Sequence, residues 1–218
     1  MSGVLAILFS PIRPPLDRLA GWLARRTVVT AYGGVSICHS RLSASLDTEF
    51  EDSVRGALRL VEQSDPLRFA RITQSIRYVR SAVWLPGTTA AQYVRSSRVC
   101  EMEWTKIRVP DDPQLTVFYT AVTLVHEATH GLLIRRGVAH TPSRRSRIED
   151  VCRSQEAQFI RHLDSAMGKA WLLVSRGIPL APVTLTSLEG FEHGLKTIRE
   201  KIAGLQLNSP TQPCSERC

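Results

Sequence analysis

The chain has 218 residues, of which 43% are hydrophobic, enough for one domain with a packed core. Its formal net charge of +8 permits an acidic partner such as nucleic acid, but the basic residues are spread along the chain, which favours a solvated basic surface. The five cysteines are irregularly spaced and form no C-x-x-C pair. This excludes a disulfide framework and a zinc ribbon, and it indicates reduced thiols in a cytoplasmic protein.

Residues 1–46 are predicted to be an N-terminal helical segment. Residues 3–9 are apolar, but they are too short to span a bilayer and lack the charged start of a signal peptide, so we expect no transmembrane segment. Helical apolar spacing from Leu16 to Arg26 follows a pair of prolines, and the glycines at 33 and 34 end it.

Residues 47–205 are predicted to form the main domain, which begins with two helices. Asp47 is the expected N-cap of a helix over residues 49–63, and a shorter helix is expected from Leu67 to about Ile76. Four residues should form the buried face of the first helix: Phe50, Val54, Leu58 and Val61.

Two runs of β-forming residues follow, at 77–85 and 98–109. We predict that they pair as a small antiparallel sheet. Residues 100–104 alternate between apolar and polar, as expected for a strand with one solvated face.

Three further helices are predicted after the strands. The first begins at Gln114 or Thr116 and ends near Gly137, the second covers residues 147 to about 166, and the last covers 188–205. Residues 206–218 are polar and are predicted to be a flexible tail. The predicted fold class is α+β, with a small sheet packed on the central helix.

That central helix contains the pattern H-E-x-x-H, formed by His126, Glu127 and His130. At about 100° per residue, the three side chains project into one arc of about 100°. Two imidazoles one turn apart can bind one Zn²⁺, and the carboxylate between them can act as a general base toward water. The pattern arises by chance about once in a hundred such chains, but here it lies in a helix that is apolar on nearly every side, where unsatisfied histidines would be costly. We therefore interpret it as a site for one zinc ion.

Eighteen residues separate His130 from Glu149, which gives H-E-x-x-H-x18-E. This arrangement resembles the zinc metallopeptidases of the gluzincin type, in which a glutamate on a helix shortly after the motif is the third ligand. The resemblance covers His126 to about Phe159 and the preceding strands, and it extends to no particular peptidase over its whole length. It implies a zincin-like fold, a zinc cofactor, a peptide or protein substrate, and Glu149 as the third ligand.

Glu156 competes with Glu149, because it lies two helical turns further along the same face. Instead of binding zinc, Glu156 can accept a hydrogen bond from a ligand imidazole and fix its tautomer, or form an ion pair with an arginine. Cys152 shares that face; we interpret it as a buried core residue, although a thiolate is also a zinc ligand.

The resemblance also implies a group that stabilises the transition state, commonly a downstream tyrosine or histidine. No tyrosine follows Tyr119, so His193 is the candidate, with a surface or capping role as its alternative. Arg147 is a second candidate, to orient Glu149 or to contact a substrate carboxylate. An extended substrate is expected to pair with the edge strand of the sheet, for which residues 98–104 are our candidate.

The predicted function is that of a zinc-dependent peptidase with Glu127 as general base. The alternative is a catalytically inactive, zinc-stabilised binding or regulatory protein with the same fold. The presence of Glu127 favours the peptidase, because a structural zinc site needs no base. The basic charge suggests a further variant, a peptidase that acts on proteins bound to nucleic acid.

Overall fold

The structure is a computed structural model, and it describes residues 21–22, 24–39, 44–82, 90–164, 196–197, 199–200 and 202–204. Over these ranges the chain is an α+β protein with one mixed five-stranded sheet, which confirms the predicted class. The strands are β1 (Val28–Tyr32), β2 (Val35–Cys38), β3 (Tyr78–Ala82), β4 (Ala91–Val94) and β5 (Val99–Glu103). The helices are α1 (Ala44–Ser64), α2 (Pro66–Ser75), α3 (Trp104–Ile107), α4 (Pro113–Arg135) and α5 (Arg145–Leu163), and a short 3₁₀ helix (Pro142–Arg144) precedes α5.

The strand order is β1-β2-β3-β5-β4, so β1 and β4 are the edge strands. The three central strands are parallel, whereas β1 runs antiparallel to β2 and β4 runs antiparallel to β5. Parallel neighbours need a crossover connection, and α1 and α2 provide it between β2 and β3.

The predicted antiparallel pairing of the two β-forming runs is wrong. β3 and β5 are parallel, with Tyr78 opposite Val99 and Ala82 opposite Glu103. The reason is β4, a strand of four residues between the two runs that we did not predict. β4 runs antiparallel to β5, and β5 therefore runs in the same direction as β3.

The prediction that residues 98–104 form the edge strand is also wrong, because β5 lies between β3 and β4. All five residues of β5 are buried, so its alternation does not mark a solvated face. Its carboxylates are paired instead: Glu101 with Arg80, and Glu103 with Lys106 at 2.9 Å. The run does not continue as a strand to residue 109, because residues from Trp104 form the short helix α3.

The N-terminal region differs from the prediction of a helical segment over residues 1–46. Residues 21–22 and 24–26 are helical, within the predicted helix, but β1 and β2 follow. These strands form a hairpin whose second strand pairs with β3. Gly33 and Gly34, at φ values of 54° and 85°, form its turn, so the two glycines mark a hairpin rather than only a helix end.

The first two predicted helices of the main domain are confirmed. The predicted face of α1 is fully buried, through Phe50, Val54, Leu58 and Val61. The helix begins at Ala44, so Asp47 lies in its first turn and does not cap it. α2 begins at Pro66, with the Asp65 side chain accepting a hydrogen bond from the Arg68 backbone N–H at 3.1 Å.

α4 is the central helix, packed against α1, α2, α5 and the edge strand β4. It begins at Pro113, one residue before Gln114 and three before Thr116, the two predicted starts. The predicted helix from residue 147 is α5, which begins two residues earlier. The described residues at 196–197, 199–200 and 202–204 are helical, inside the last predicted helix. His193 and the predicted tail at 206–218 lie outside the described residues.

Candidate metal centre

α4 is held at its start by a side-chain cap. The Asp112 carboxylate accepts a hydrogen bond from the Leu115 backbone N–H at 2.9 Å, and Pro113 occupies the first helical position. The middle of the helix is apolar and buried, including Phe118, Ala121 and Leu124. This packing fixes the rotation of α4 and therefore the direction of the motif that follows.

His126 and His130 point their Nε2 atoms at the same location. The two Nε2 atoms are 3.1 Å apart, and the ring centroids are 4.9 Å apart. The Glu149 carboxylate, supplied by α5, faces both of them. Its Oε2 lies 3.3 Å from His126 Nε2, and its Oε1 lies 3.7 Å from His130 Nε2. The structure thus brings together the three residues expected to bind the metal.

These separations suit a small tetrahedral cation. Zinc bonds to nitrogen and carboxylate oxygen are about 2.0–2.2 Å long, so ligand atoms at neighbouring corners of a tetrahedron lie about 3.3–3.6 Å apart. The two Nε2 atoms are slightly closer than this, at 3.1 Å, and each of them faces a different oxygen of Glu149, at 3.3 and 3.7 Å, close to that range. Two imidazole nitrogens and one carboxylate are also a common ligand set for catalytic zinc.

Glu156 lies on the other side of the His126 ring. Its Oε1 accepts a hydrogen bond from His126 Nδ1, and the side chain is buried. A proton on Nδ1 leaves Nε2 as the atom that can bind a metal, so Glu156 is placed to fix the tautomer of His126. Of the three roles considered for Glu156, this geometry matches that of hydrogen-bond acceptor from a histidine.

Cys152 completes a second possible ligand set. Its Sγ and one nitrogen each of His126 and His130 all lie within 4.8 Å of one another, so this group could bind a metal ion. Cys152 is fully buried, and burial followed by the charges of Glu149 and Glu127 raises the pKa of its thiol well above the usual range. The thiolate is the form that binds zinc, so Cys152 would have to lose this proton to become a ligand.

Glu127 follows His126 in α4 and is only 5% exposed. Burial raises the pKa of its carboxyl to about 7, although the His126 charge opposes this rise. The backbone N–H of Tyr93, in the edge strand β4, donates a hydrogen bond to this carboxylate. A carboxyl group with a pKa near neutrality is well suited to accept and release a proton.

The pKa values of the three candidate ligands are shifted in different directions. Burial alone would lower the pKa of His126, but hydrogen bonds to Glu149 and Glu156 raise it to about 10. Burial and the positive charge of His126 together lower the pKa of His130, and the hydrogen bond from His126 lowers the pKa of Glu149. A proton on His126 therefore supplies positive charge where the three groups meet, as a bound cation would.

Arg147 is an exposed residue of α5, and its predicted role toward Glu149 or a substrate carboxylate stays a prediction. The charge of a nearby arginine, Arg145, acts on His130. Sequence reasoning also missed His140, whose Nε2 lies 3.2 Å from His130 Nδ1, and Tyr93 beside Glu127. His140 carried no sequence signal, because its position depends on the turn after α4.

His162 lies away from the centre, with Nδ1 at 2.9 Å from Asp65 Oδ2.

Comparisons with known proteins do not assign this centre. The chain matches no protein family model, no curated protein and no solved structure. Among the described residues, no helix combines the length and the apolar character needed to cross a membrane. The case for a function therefore depends on the geometry of the site itself.

Proposed function

We propose that this protein is a zinc-dependent peptidase of the gluzincin type, with Glu127 as the general base. The observation that carries the proposal is the convergence of His126 Nε2, His130 Nε2 and the Glu149 carboxylate at separations of 3.1, 3.3 and 3.7 Å. His126, His130 and Glu149 would hold the ion. Zinc bound there would supply a Lewis acid that polarises a carbonyl group and makes water more acidic.

Glu127 performs the proton transfer in this proposal. Its position next to His126 on α4 sets it beside the ligand cluster without making it a ligand. Burial brings its pKa to about 7, so it can take a proton from an attacking water and pass it to the departing amine. The hydrogen bond from Tyr93 N–H holds the carboxylate toward the edge strand.

The edge strand β4 is the proposed place for an extended substrate. Within the described part of the chain it pairs only with β5, and it contacts α4, so it lies beside the motif helix. A peptide can add to such an edge through main-chain hydrogen bonds. This assignment replaces residues 98–104, which lie in the interior of the sheet.

The burial of Glu127 favours a second candidate function. A general base must reach water and substrate, and Glu127 is only 5% exposed. A zinc-stabilised binding or regulatory protein would keep the ligands and tolerate a covered carboxylate. Activity measurements on matched variants separate the two functions.

The test compares wild type with Glu127→Gln, using purified full-length protein with added zinc, casein and a mixture of fluorogenic peptides. The peptidase proposal predicts cleavage by wild type, and a loss of at least about a hundredfold in kcat when the base is replaced by an amide of the same shape. Zinc content should remain near one per chain in both proteins, because Glu127 is not a ligand.

The control is Glu149→Ala, which should lose both zinc and cleavage. Full zinc occupancy in wild type with no cleavage of any peptide would support the binding protein instead. Cleavage that persists unchanged in Glu127→Gln would contradict the proposed role of this residue.

A further inference from the structure

His140 contacts the metal centre from the segment between α4 and α5. Its Nε2 lies 3.2 Å from Nδ1 of His130, and the two ring centroids are 5.4 Å apart. The contact is to Nδ1 of His130, whereas Nε2 of the same ring faces His126 and Glu149. His140 therefore lies behind the ligand and not among the ligand atoms.

A glycine turn brings His140 to this position. Gly137 has a φ of 78°, and its N–H donates to the carbonyl of Ile134 at 3.0 Å. The next N–H, of Val138, donates to the carbonyl of Leu133 at 3.0 Å. The left-handed backbone conformation of Gly137 ends the helix and reverses the chain. His140 therefore lies alongside the last turns of α4.

The hydrogen bonds define the tautomers of both rings. His140 Nδ1 lies 3.2 Å from the carbonyl oxygen of Val138, which can only accept a hydrogen bond, so Nδ1 carries the proton. In a neutral His140 ring Nε2 is then an acceptor, and it must receive the proton on His130 Nδ1. A neutral His130 with a proton on Nδ1 presents an unprotonated Nε2 to the ligand cluster.

We propose that His140 is a positioning residue for the zinc site, which orients His130 and fixes its tautomer through the hydrogen bond to Nδ1. Glu156 does the same for His126 from α5. Each histidine ligand thus has its own hydrogen-bond partner behind it, an imidazole for one and a carboxylate for the other. The inference rests on the proposed function in so far as it takes His126, His130 and Glu149 to be the zinc ligands.

The test measures zinc affinity, by competition with a chromophoric chelator, in wild type, His140→Leu and His140→Gln. Loss of a hydrogen-bond partner behind a ligand typically weakens metal binding by about 10–100-fold, and we expect that loss in His140→Leu. In His140→Gln the amide oxygen can replace Nε2 as acceptor, so affinity should return close to that of wild type. His162→Leu, which removes an imidazole elsewhere on α5, should leave zinc affinity unchanged.

Nitrogen-15 spectra of the imidazoles provide a readout that does not depend on activity. In the zinc-free protein, His130 should be protonated on Nδ1 in wild type and His140→Gln, and should show mixed tautomers in His140→Leu. Circular dichroism establishes that each variant is folded, which is expected because His140 is exposed.

An unchanged affinity and an unchanged His130 tautomer in His140→Leu would overturn the inference and leave the proposed function intact. Equal losses of zinc affinity in His140→Leu and His140→Gln, with both proteins folded, would also overturn it. The hydrogen-bond acceptor at position 140 would then not determine the affinity. A wild type that binds no zinc at all would instead refute the proposed function, and this inference with it.

Discussion

Gly131 lies directly after His130, where α4 passes close to the end of α2 and to the edge strand. A Cβ at this position would lie 2.9 Å from Ser75 Cβ and 3.0 Å from Tyr93 Cζ. The tyrosine ring has little room to move, since its hydroxyl donates to the Ser75 carbonyl at 3.0 Å. The absence of a side chain at Gly131 therefore allows β4 to approach α4 closely.

Gly131→Ala should lower the free energy of unfolding. Overpacking costs about 1–3 kcal/mol, and the better helix propensity of alanine returns about 1 kcal/mol, so we expect a net loss of up to about 2 kcal/mol in urea denaturation. Gly204→Ala is the matched control, because Gly204 is helical and a Cβ there would meet nothing within 4 Å. A Gly131→Ala protein as stable as the Gly204→Ala protein would show that the contact is not tight.

The residues of the motif were predictable, but their partners only in part. The positions of His126, Glu127 and His130 on one arc follow from the helical period alone. The contact from Glu149 needs the relative placement of two helices, which the spacing of eighteen residues suggested only by resemblance. His140 and Arg145 depend on the path of the chain between α4 and α5, for which the sequence carries no periodic signal.

At the scale of elements, the cap of α4 makes its stability depend on pH. The Asp112 carboxylate accepts hydrogen bonds from the Leu115 N–H at 2.9 Å and from Arg199 Nη2 at 2.6 Å. Burial raises the pKa of Asp112, but these hydrogen bonds outweigh burial and lower it below its usual value of 3.8. A lowered folded-state pKa stabilises the protein above the unfolded-state pKa, and this stabilisation is lost as pH falls through the folded-state value.

Asp112→Asn removes the charge but keeps an oxygen that can cap the helix. We expect wild type to be more stable than this variant at about pH 6, and the difference in unfolding free energy to shrink as the pH falls below about 4. Urea titrations of both proteins at several pH values measure that difference. A difference that stays constant or grows toward acid pH would contradict the assignment.

The helices were easier to predict than the sheet. The apolar spacing placed α2 within one residue of its observed start and α4 within one to three residues. The direction of β5 could not be predicted, because it depends on β4, which has only four residues and includes the polar Gln92. Because β4 was not predicted, the predicted direction of β5 was wrong, and so was its predicted place at the edge of the sheet.

For the whole molecule, the candidate centre joins two helices that are separate in sequence. His126 and His130 come from α4 and Glu149 comes from α5, while β4 supplies the hydrogen bond to Glu127. The fold thus places the edge strand β4, one buried carboxylate and the three candidate ligands together. We propose that His126, His130 and Glu149, and not Cys152, bind one zinc ion.

X-ray absorption at the zinc edge tests that claim most directly, with metal content measured on the same samples. We predict about one zinc per chain in wild type, a first shell of nitrogen and oxygen at about 2.0–2.2 Å, and a signal from two imidazoles. Glu149→Ala should lose the zinc, whereas Cys152→Ser should keep both the ion and the spectrum. A sulfur neighbour at about 2.3 Å that disappears in Cys152→Ser, or a folded wild type without zinc, would contradict the account.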